Sequence, residues 1–596
     1  MDKGYFDKNS NKNQKEDERL SVVYNRISIL RIASFLLALM AVIYFADIRN
    51  GSAVFITIFL FLINFVLLIK WHNRIKYARN HVRFLKQINQ DEISRLKGDL
   101  SSFDTGEEFK SIPHYYSGDL DIFGRNSLFQ LLNRTTTITG KNMLAHWLCH
   151  PAEKEEIEER QEAIHELAQQ PDYCQNIQAT GLHFQDMKAC FEPLKKWVDE
   201  PLQLLTNKWY VVASYLLPII TMTLLVGFIW FNISVGFFLL TVLANGLLLK
   251  KVLPYSLKIT EQTSKGVSTL NAISALVKEV EHTSFTSSLL CSIKNDLSKE
   301  GKCVSKRIIQ LANILDFLNS RANMFYMGFN LLFLIDIHLI MRAEKWKSDN
   351  REEVENWFNR LSEFDVLASI SRFSHANPAY AMPNITEDNY QFEGEAMAHP
   401  LIKVNDRVHN TFEAAEKGKV VIITGSNMSG KSTFLRTIGV NIVLGLLGAP
   451  VCATKMKISR CQVFTSMRTQ DNLEEHISSF YAELKRIKQL LDLLEKEELP
   501  VLFMLDEILK GTNSLDRHKG AMALVKQLHK TNAFGFVSTH DLELGSEAKQ
   551  LNYCENYSFN SQVVEDKINF DYKISNGICK SFNASALMKS IGIEVE

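Results

Sequence analysis

The sequence predicts a chain of three kinds of part: a C-terminal α/β P-loop domain, an all-α region before it, and two helical hairpins apolar enough to cross a bilayer. Three observations predict this. From Trp209 to Leu249 there are 41 consecutive residues without Asp, Glu, Lys, Arg or His. A similar pair of uncharged runs, Ile32–Ala46 and Asn50–Ile69, lies near the N-terminus. A β-branched run, Val420–Ile423, leads into G-x-x-x-x-G-K-S over Gly425–Ser432.

At 596 residues the chain has room for about three to five structural units. Lys plus Arg, 67, equals Asp plus Glu, 67, so there is no whole-chain basic footprint for non-specific nucleic-acid binding. Any DNA contact must use a local patch. A hydrophobic share of 46%, with Phe 37 against Pro 12, excludes a disordered chain. The nine Cys form no C-x-x-C pair, so neither a disulfide framework nor a zinc ribbon is expected, and the soluble parts are placed in a reducing compartment.

A single helix from Trp209 to Leu249 would be roughly 62 Å long, about twice the ~30 Å hydrocarbon core. It therefore splits at Phe231–Ser234 into arms at 211–229 and 233–249. In the first hairpin Arg31 can snorkel and let Ile27–Leu30 extend a short arm. Some thirty mostly polar residues precede the first apolar run, which argues against a cleaved signal peptide. Lys and Arg flank both hairpins at their open ends, while the turns hold only Arg49, so both open ends are expected to face the cytoplasm. The run Met324–Met341 contains Asp336 and His338, each costly at mid-bilayer, and is read as a buried or membrane-adjacent helix. The expected location is the cell membrane, with four spans and with the nucleotide domain and termini cytoplasmic.

In Gly425-Ser426-Asn427-Met428-Ser429-Gly430-Lys431-Ser432-Thr433 the glycines let backbone N–H groups curl round phosphates. Lys431 reaches β and γ oxygens and Ser432 can ligate Mg²⁺. Val501–Leu505 reads as a strand buried on both faces and ends in Asp506-Glu507. Asp506 would hold Mg²⁺, and Glu507 is placed to orient or deprotonate the attacking water. A third strand, Phe534–Val537, leads to Ser538-Thr539-His540, where His540 can reach a γ-phosphate. Three strand-end motifs on one sheet predict an ATPase using ATP and Mg²⁺.

These segments resemble the MutS family, the DNA mismatch-repair ATPases. The resemblance rests on Ile423–Thr433 with Asn427-Met428 inside the loop, on Leu505–Asp516, and on Ser538–Leu544. It extends to Asp471–Leu484, similar to the family's signature segment, and upstream to Ser127–Gly140, His146–Leu148 and Glu155–His165. The resemblance implies a homodimer with composite ATP sites, a trans γ-phosphate contact by Ser478, and a subunit-contacting loop at Asn513–Asp516. The family's usual Gly-Arg before that Ser is His476-Ile477 here. The family's adenine-stacking position falls on Arg407 or Val408, so the base contact stays unassigned. Nothing before residue 120 resembles the mismatch-reading domain, and the second hairpin interrupts the helical core where relatives carry the DNA clamp.

The expected organisation is a polar N-terminus at 1–31, hairpin 1 at 32–69, an amphipathic helix and linker at 70–119, and helical core at 120–208. Hairpin 2 follows at 209–249, then core and lever at 250–390 and the ATPase domain at 391–596. Residues Tyr557–Asn576 alternate polar and apolar, suggesting edge strands. The functional expectation is a membrane-anchored MutS-like ATPase that moves its helical core and has DNA as a possible partner, without secure mismatch specificity. The alternative is a membrane-embedded mechanochemical ATPase acting on a membrane or protein partner without nucleic acid. A transport pathway is poorly supported, because the spans offer only Asn64, Asn245 and hydroxyls.

Overall fold

The computed structural model describes residues 3–110, 114–184, 191–263, 266–298, 303–468, 479–496, 498–564 and 567–580. Two long antiparallel helices open it, α1 (Lys3–Asp47) and α2 (Gly51–Leu96). Neither contains Pro, and Asn50 caps α2 by accepting the Ala53 N–H at 3.1 Å. Each helix therefore runs past its apolar arm. Residues 3–31 and 70–96, expected as separate polar pieces, are the outer halves of these same helices. The polar halves lie on the helical core, where Phe6 is buried and the Tyr5 hydroxyl donates to Asp172 at 2.6 Å. Asn89 Nδ2 donates to Gln175 Oε1 at 2.9 Å. The apolar halves expose Leu37, Ile43, Phe55 and Leu60, and Asn64 Nδ2 bridges to Ser34 Oγ at 2.9 Å between the helices.

The core follows as α3 (Leu128–Leu132), α4 (Ile138–Cys149), α5 (Lys154–Ala168), α6 (Pro171–Leu182) and α7 (Phe191–Asp199). It is interrupted by α8 (Lys208–Phe231) and α9 (Val235–Thr263), the second pair long and apolar enough to cross a membrane. It resumes as α10 (Gly266–His282), α11 (Ser288–Leu297), α12 (Val304–Asn319), α13 (Met324–Phe333), α14 (Ile335–Asn350) and α15 (Val354–Ala376). The α8–α9 turn is tight because Asn232 takes a left-handed φ of 50° and Ile233 packs where any Cβ on Gly227 would clash. The base of the pair is fixed by buried Glu344 on α14. Its carboxylate accepts the backbone N–H groups of Gln203, Leu204 and Leu205 before α8 and the Tyr255 hydroxyl from α9.

The run Met324–Met341 is not one helix. It bends by 80° between α13 and α14, at Leu334 with φ 52°. The expected linker before residue 120 is also corrected over its described end. Tyr116, Ser117 and Asp119 are buried, and Asp119 accepts from Thr465 Oγ1 and from the backbone N–H groups of Met467 and Arg468. This stretch therefore joins the helical core to the α/β part.

The α/β part begins with β1 (Asn384–Thr386), β2 (Phe392–Met397), β3 (Asn410–Ala414) and β4 (Val420–Gly425). After α16 (Lys431–Leu447) come β5 (Lys455–Ser459), β6 (Gln462–Ser466), α17 (Ser479–Lys496), β7 (Val501–Asp506) and α18 (Ser514–Leu528). It ends with β8 (Ala533–Thr539), α19 (Leu542–Ala548), β9 (Cys554–Val564) and β10 (Lys567–Asn576). The smaller sheet has the order β1-β5-β2-β3 and the larger β10-β9-β4-β8-β7-β6. In the larger sheet β9, β4, β8, β7 and β6 pair in parallel and only β10 is antiparallel. The β4, β7 and β8 strands are buried on both faces, as their unbroken apolar runs require. Of the Tyr557–Asn576 pair, β10 is the edge strand, whereas β9 is interior, between β10 and β4.

Candidate nucleotide site

Parallel pairing of β4 with β8 and of β8 with β7 aligns their C-terminal ends, the usual place for a ligand in such a sheet. The loop after β4 turns within a few residues and opens α16 at Gly430, whose φ of 105° suits only glycine. Gly425 is equally constrained: a Cβ there would lie 2.8 Å from Ser429 Oγ and 2.9 Å from the Phe559 carbonyl. Lys431 is buried, and its Nζ donates to the carbonyls of Gly425 at 2.8 Å and Ser426 at 3.0 Å. Burial lowers its pKa, against the opposing pull of Glu507 and Asp506. Ser426 and Ser429 are buried too, yet among the described residues neither hydroxyl has a hydrogen-bond partner. Buried hydroxyls are normally satisfied, so two in one loop mark a place built for an oxygen-rich ligand.

The acidic pair follows directly from β7. Asp506 accepts from Ser538 Oγ at the end of β8. Glu507 adopts φ 50°, a left-handed conformation a non-glycine residue holds only where surrounding contacts enforce it. One such contact is its N–H, which donates to the Ser538 carbonyl at 2.9 Å. The Glu507 carboxylate lies 3.9 Å from Lys431 Nζ, 3.9 Å from His540 Nδ1 and 3.1 Å from Lys510 Nζ. Burial raises its pKa, but Lys510, Lys431 and His540 outweigh burial and hold it below the ordinary carboxylate range. Among the described residues, His540 Nδ1 is buried without a hydrogen bond. Behind it, His518 on α18 bridges Asp541 at 2.9 Å and Glu547 at 3.1 Å, fixing the loop that carries His540.

A cavity of about 620 Å³ opens over this loop, within the ordinary size range of small-molecule sites. Asn427, Met428, Ser429, Gly430, Lys431, Ser432, Thr433 and Glu507 line it. Gly425, Ser426, Asp506 and His540 stand behind that lining, in the contacts given above. Ser478 lies outside the described residues. Of the two candidates for the base contact, Val408 lines the cavity. Arg407 is turned inward, its guanidinium donating to the Ile402 and Pro400 carbonyls and the Tyr380 hydroxyl.

Two residues emerge that sequence reading missed. Tyr572 lines the cavity and comes within 3.0 Å of where a Cβ on Gly430 would sit. It occupies the register shift between Phe570 and Ile574 in β10, with φ 55°. Asn410 clamps that bulge, donating to the Tyr572 carbonyl at 3.0 Å and accepting the Ile574 N–H at 2.9 Å. Lys510 is the other. It lies within the Leu505–Asp516 segment, three residues after Glu507, but no pattern in the sequence assigned it a role of its own.

Two family models match the chain: MutS domain III over residues 114–371 and MutS domain V over residues 421–595. The chain belongs to the MutS family. The α8–α9 pair lies inside the stretch matched to MutS domain III. DNA mismatch repair protein MutS of Natronomonas pharaonis is 29% identical over 248 residues, covering 41% of this chain and 27% of that protein. Endonuclease MutS2 of Fusobacterium nucleatum is 26% identical over 259 residues, 43% of this chain and 32% of its own. DNA mismatch repair protein MutS of Bacillus licheniformis is 32% identical over 262 residues, 42% of this chain and 28% of its own. The chain thus spans about a third or less of the length of these MutS relatives.

Proposed function

We propose that the chain is a membrane-anchored MutS-type ATPase that hydrolyses ATP to ADP and phosphate and couples this to movement of its helical core. The observation that carries the reading is the convergence of Lys431, Glu507, His540 and two unpartnered serine hydroxyls at the loop beside one cavity. Backbone N–H groups of Gly425–Thr433 cradle the phosphates, and Lys431 Nζ exchanges its carbonyl partners for β and γ oxygens. Ser432 on the cavity lining and Asp506 at the end of β7 are both oxygen donors, the chemistry Mg²⁺ takes; they would hold it, and it would supply neutralisation of phosphate charge. Lys510, Lys431 and His540 around Glu507 favour its ionised form. Its role is to orient the attacking water, as a loose phosphoryl-transfer transition state requires. His540 faces the γ-phosphate from the β8 end. Tyr572, Ile402 and Val408 give the base an aromatic and aliphatic wall.

In this reading the two apolar helix pairs are four membrane spans with open ends in the cytoplasm, where ATP and Mg²⁺ are available. The names of the relatives favour DNA over a purely protein or lipid partner, and a second copy of the chain would complete the ATP site through Ser478. The anchors have their apolar cores at 32–69 and 209–249, and the ATPase part, expected from residue 391, also takes in β1, which starts at Asn384 and pairs with β5. The test is ATP turnover of the full-length chain in lipid nanodiscs with matched, mismatched and branched duplexes across a salt series. DNA binding that persists at physiological salt and changes turnover is expected. Turnover indifferent to every duplex would remove DNA from the reading and favour the membrane or protein partner.

A further inference from the structure

Among the described residues, α13 is the most exposed apolar helix outside the two long helix pairs. Its chain is uncharged from Ala322 to Ile335. Met324, Phe325 and Met327 are 86%, 78% and 70% exposed, and Phe329 is 55% exposed. Side chains of this kind are rarely left together in water.

Geometry excludes a fifth crossing. The ten residues of α13 make about 15 Å of helix, half the ~30 Å hydrocarbon core. The α14 helix cannot supply the rest, because Ile337, Leu339, Ile340, Met341, Ala343 and Trp346 are buried in the protein core. Trp346 Nε1 donates to the Arg307 carbonyl at 2.7 Å, which ties the far end of α14 to the start of α12. Both flanking helices therefore return to the same core. Arg321 and Asp336, one on each side of α13, pair at 3.1 Å and hold the first turn of α14 against the segment that follows α12. Asp336 also accepts from the Tyr326 hydroxyl, and its N–H donates to Asn330 Oδ1 at 2.9 Å, so the polar groups of α13 are turned inward.

The position of α13 along the α8–α9 pair identifies what covers its outer face. Asn245 Nδ2 donates to both the Leu331 carbonyl at 3.0 Å and Thr221 Oγ1 at 3.2 Å, joining all three helices at one level. Thr221 lies in the middle of the apolar arm of α8. Asn245 is five residues from Lys250, or about 7.5 Å along the helix axis, inside the apolar stretch. The exposed face of α13 is thus continuous with the exposed apolar faces of α8 and α9.

We infer that α13 is a re-entrant membrane helix, which enters the lipid beside the α8–α9 hairpin, turns at Leu334 and leaves on the side it entered. The inference rests on the membrane-inserted reading of the long pairs. Its occupant is lipid acyl chain, covering Met324, Phe325, Met327 and Phe329.

The test is photocrosslinking of the full-length chain in phospholipid nanodiscs, with p-benzoylphenylalanine replacing Phe325 or Phe329. Because both rings are exposed, the replacement leaves the core packing intact. Phe59 and Phe237, exposed on the two long pairs, and Tyr481 on α17 serve as reference positions. The expected result is a mass increase of one phospholipid at Phe325, Phe329, Phe59 and Phe237, with none at Tyr481. Lipid adducts at Phe59 and Phe237 without adducts at Phe325 or Phe329 would overturn the inference and leave the hairpins in the membrane. Adducts from Phe325 or Phe329 to a second copy would also overturn it. Absence of lipid adducts at all four apolar positions would overturn the membrane reading itself.

Discussion

Tyr572 shows how a side chain distant in sequence completes the site. Its ring lines the cavity only because the β10 bulge and the Asn410 clamp hold its backbone left-handed. Tyr572→Ala should raise KM for ATP with little change in kcat, by the roughly 1–3 kcal/mol that base stacking contributes, while Tyr572→Phe stays near wild type. Steady-state kinetics separates the two constants. Farther from the phosphates, hydrogen bonding to Asp541 raises the His518 pKa, with Glu547 adding to the effect against burial. A raised folded-state pKa stabilises fully below the ordinary value of about 6.5, and the gain is lost as pH rises through the raised value. Thermal unfolding should therefore show Tm falling as pH rises above about 6.5, and His518→Gln should flatten that slope.

At the scale of single residues, the strand–loop–helix turn at Gly425–Ser432 was legible because its pattern is contiguous, from β4 through Gly430 into α16. The contact of Glu507 with His540 was legible for a similar reason, since adjacent parallel strands bring their ends together. Tyr572 was not legible, because a bulge reverses the side a residue faces and no local pattern announces it.

Among the elements, the joint between α2 and the core is the most demanding. Buried Glu92 pairs bidentately with Arg134, at 2.7 Å for each oxygen, and with Arg372 at 2.8 Å and Arg95 at 3.3 Å. Burial pushes its pKa up, yet Arg134, Arg372 and Arg95 hold it at about 2. Glu92→Gln leaves three guanidiniums facing one neutral amide, and breaking a buried pair of this kind costs about 3–5 kcal/mol. A lowered unfolding midpoint in nanodiscs, with the helix content of the folded state unchanged, checks it. Hydropathy located the apolar arms, because an uncharged run is a property of composition. It could not show that α1 and α2 continue as unbroken helices into the core, since their polar halves have no uncharged run to mark them. Nor could it show the bend at Leu334, an ordinary apolar residue held left-handed by its surroundings.

Across the whole molecule, the α/β part and the apolar helices are mechanically connected. Asp119 joins the helical core to the end of β6, Glu344 roots α8 and α9, and Glu92 roots α2. A change at the nucleotide loop therefore has packed, hydrogen-bonded routes toward both helix pairs. Asp119→Ala, distant from the phosphates, should uncouple any DNA or membrane response from ATP turnover while leaving basal turnover near wild type. Turnover measured with and without the stimulating partner checks this.

In the proposed mechanism Glu507, beside Lys431 and His540, orients the water that hydrolyses ATP. Phosphate release by the full-length chain in nanodiscs, wild type against Glu507→Gln, reads that role. A loss of roughly 10²–10³-fold in kcat with ATP binding retained is expected. Equal rates for the two proteins would remove Glu507 from the chemistry and the proposed ATPase mechanism with it.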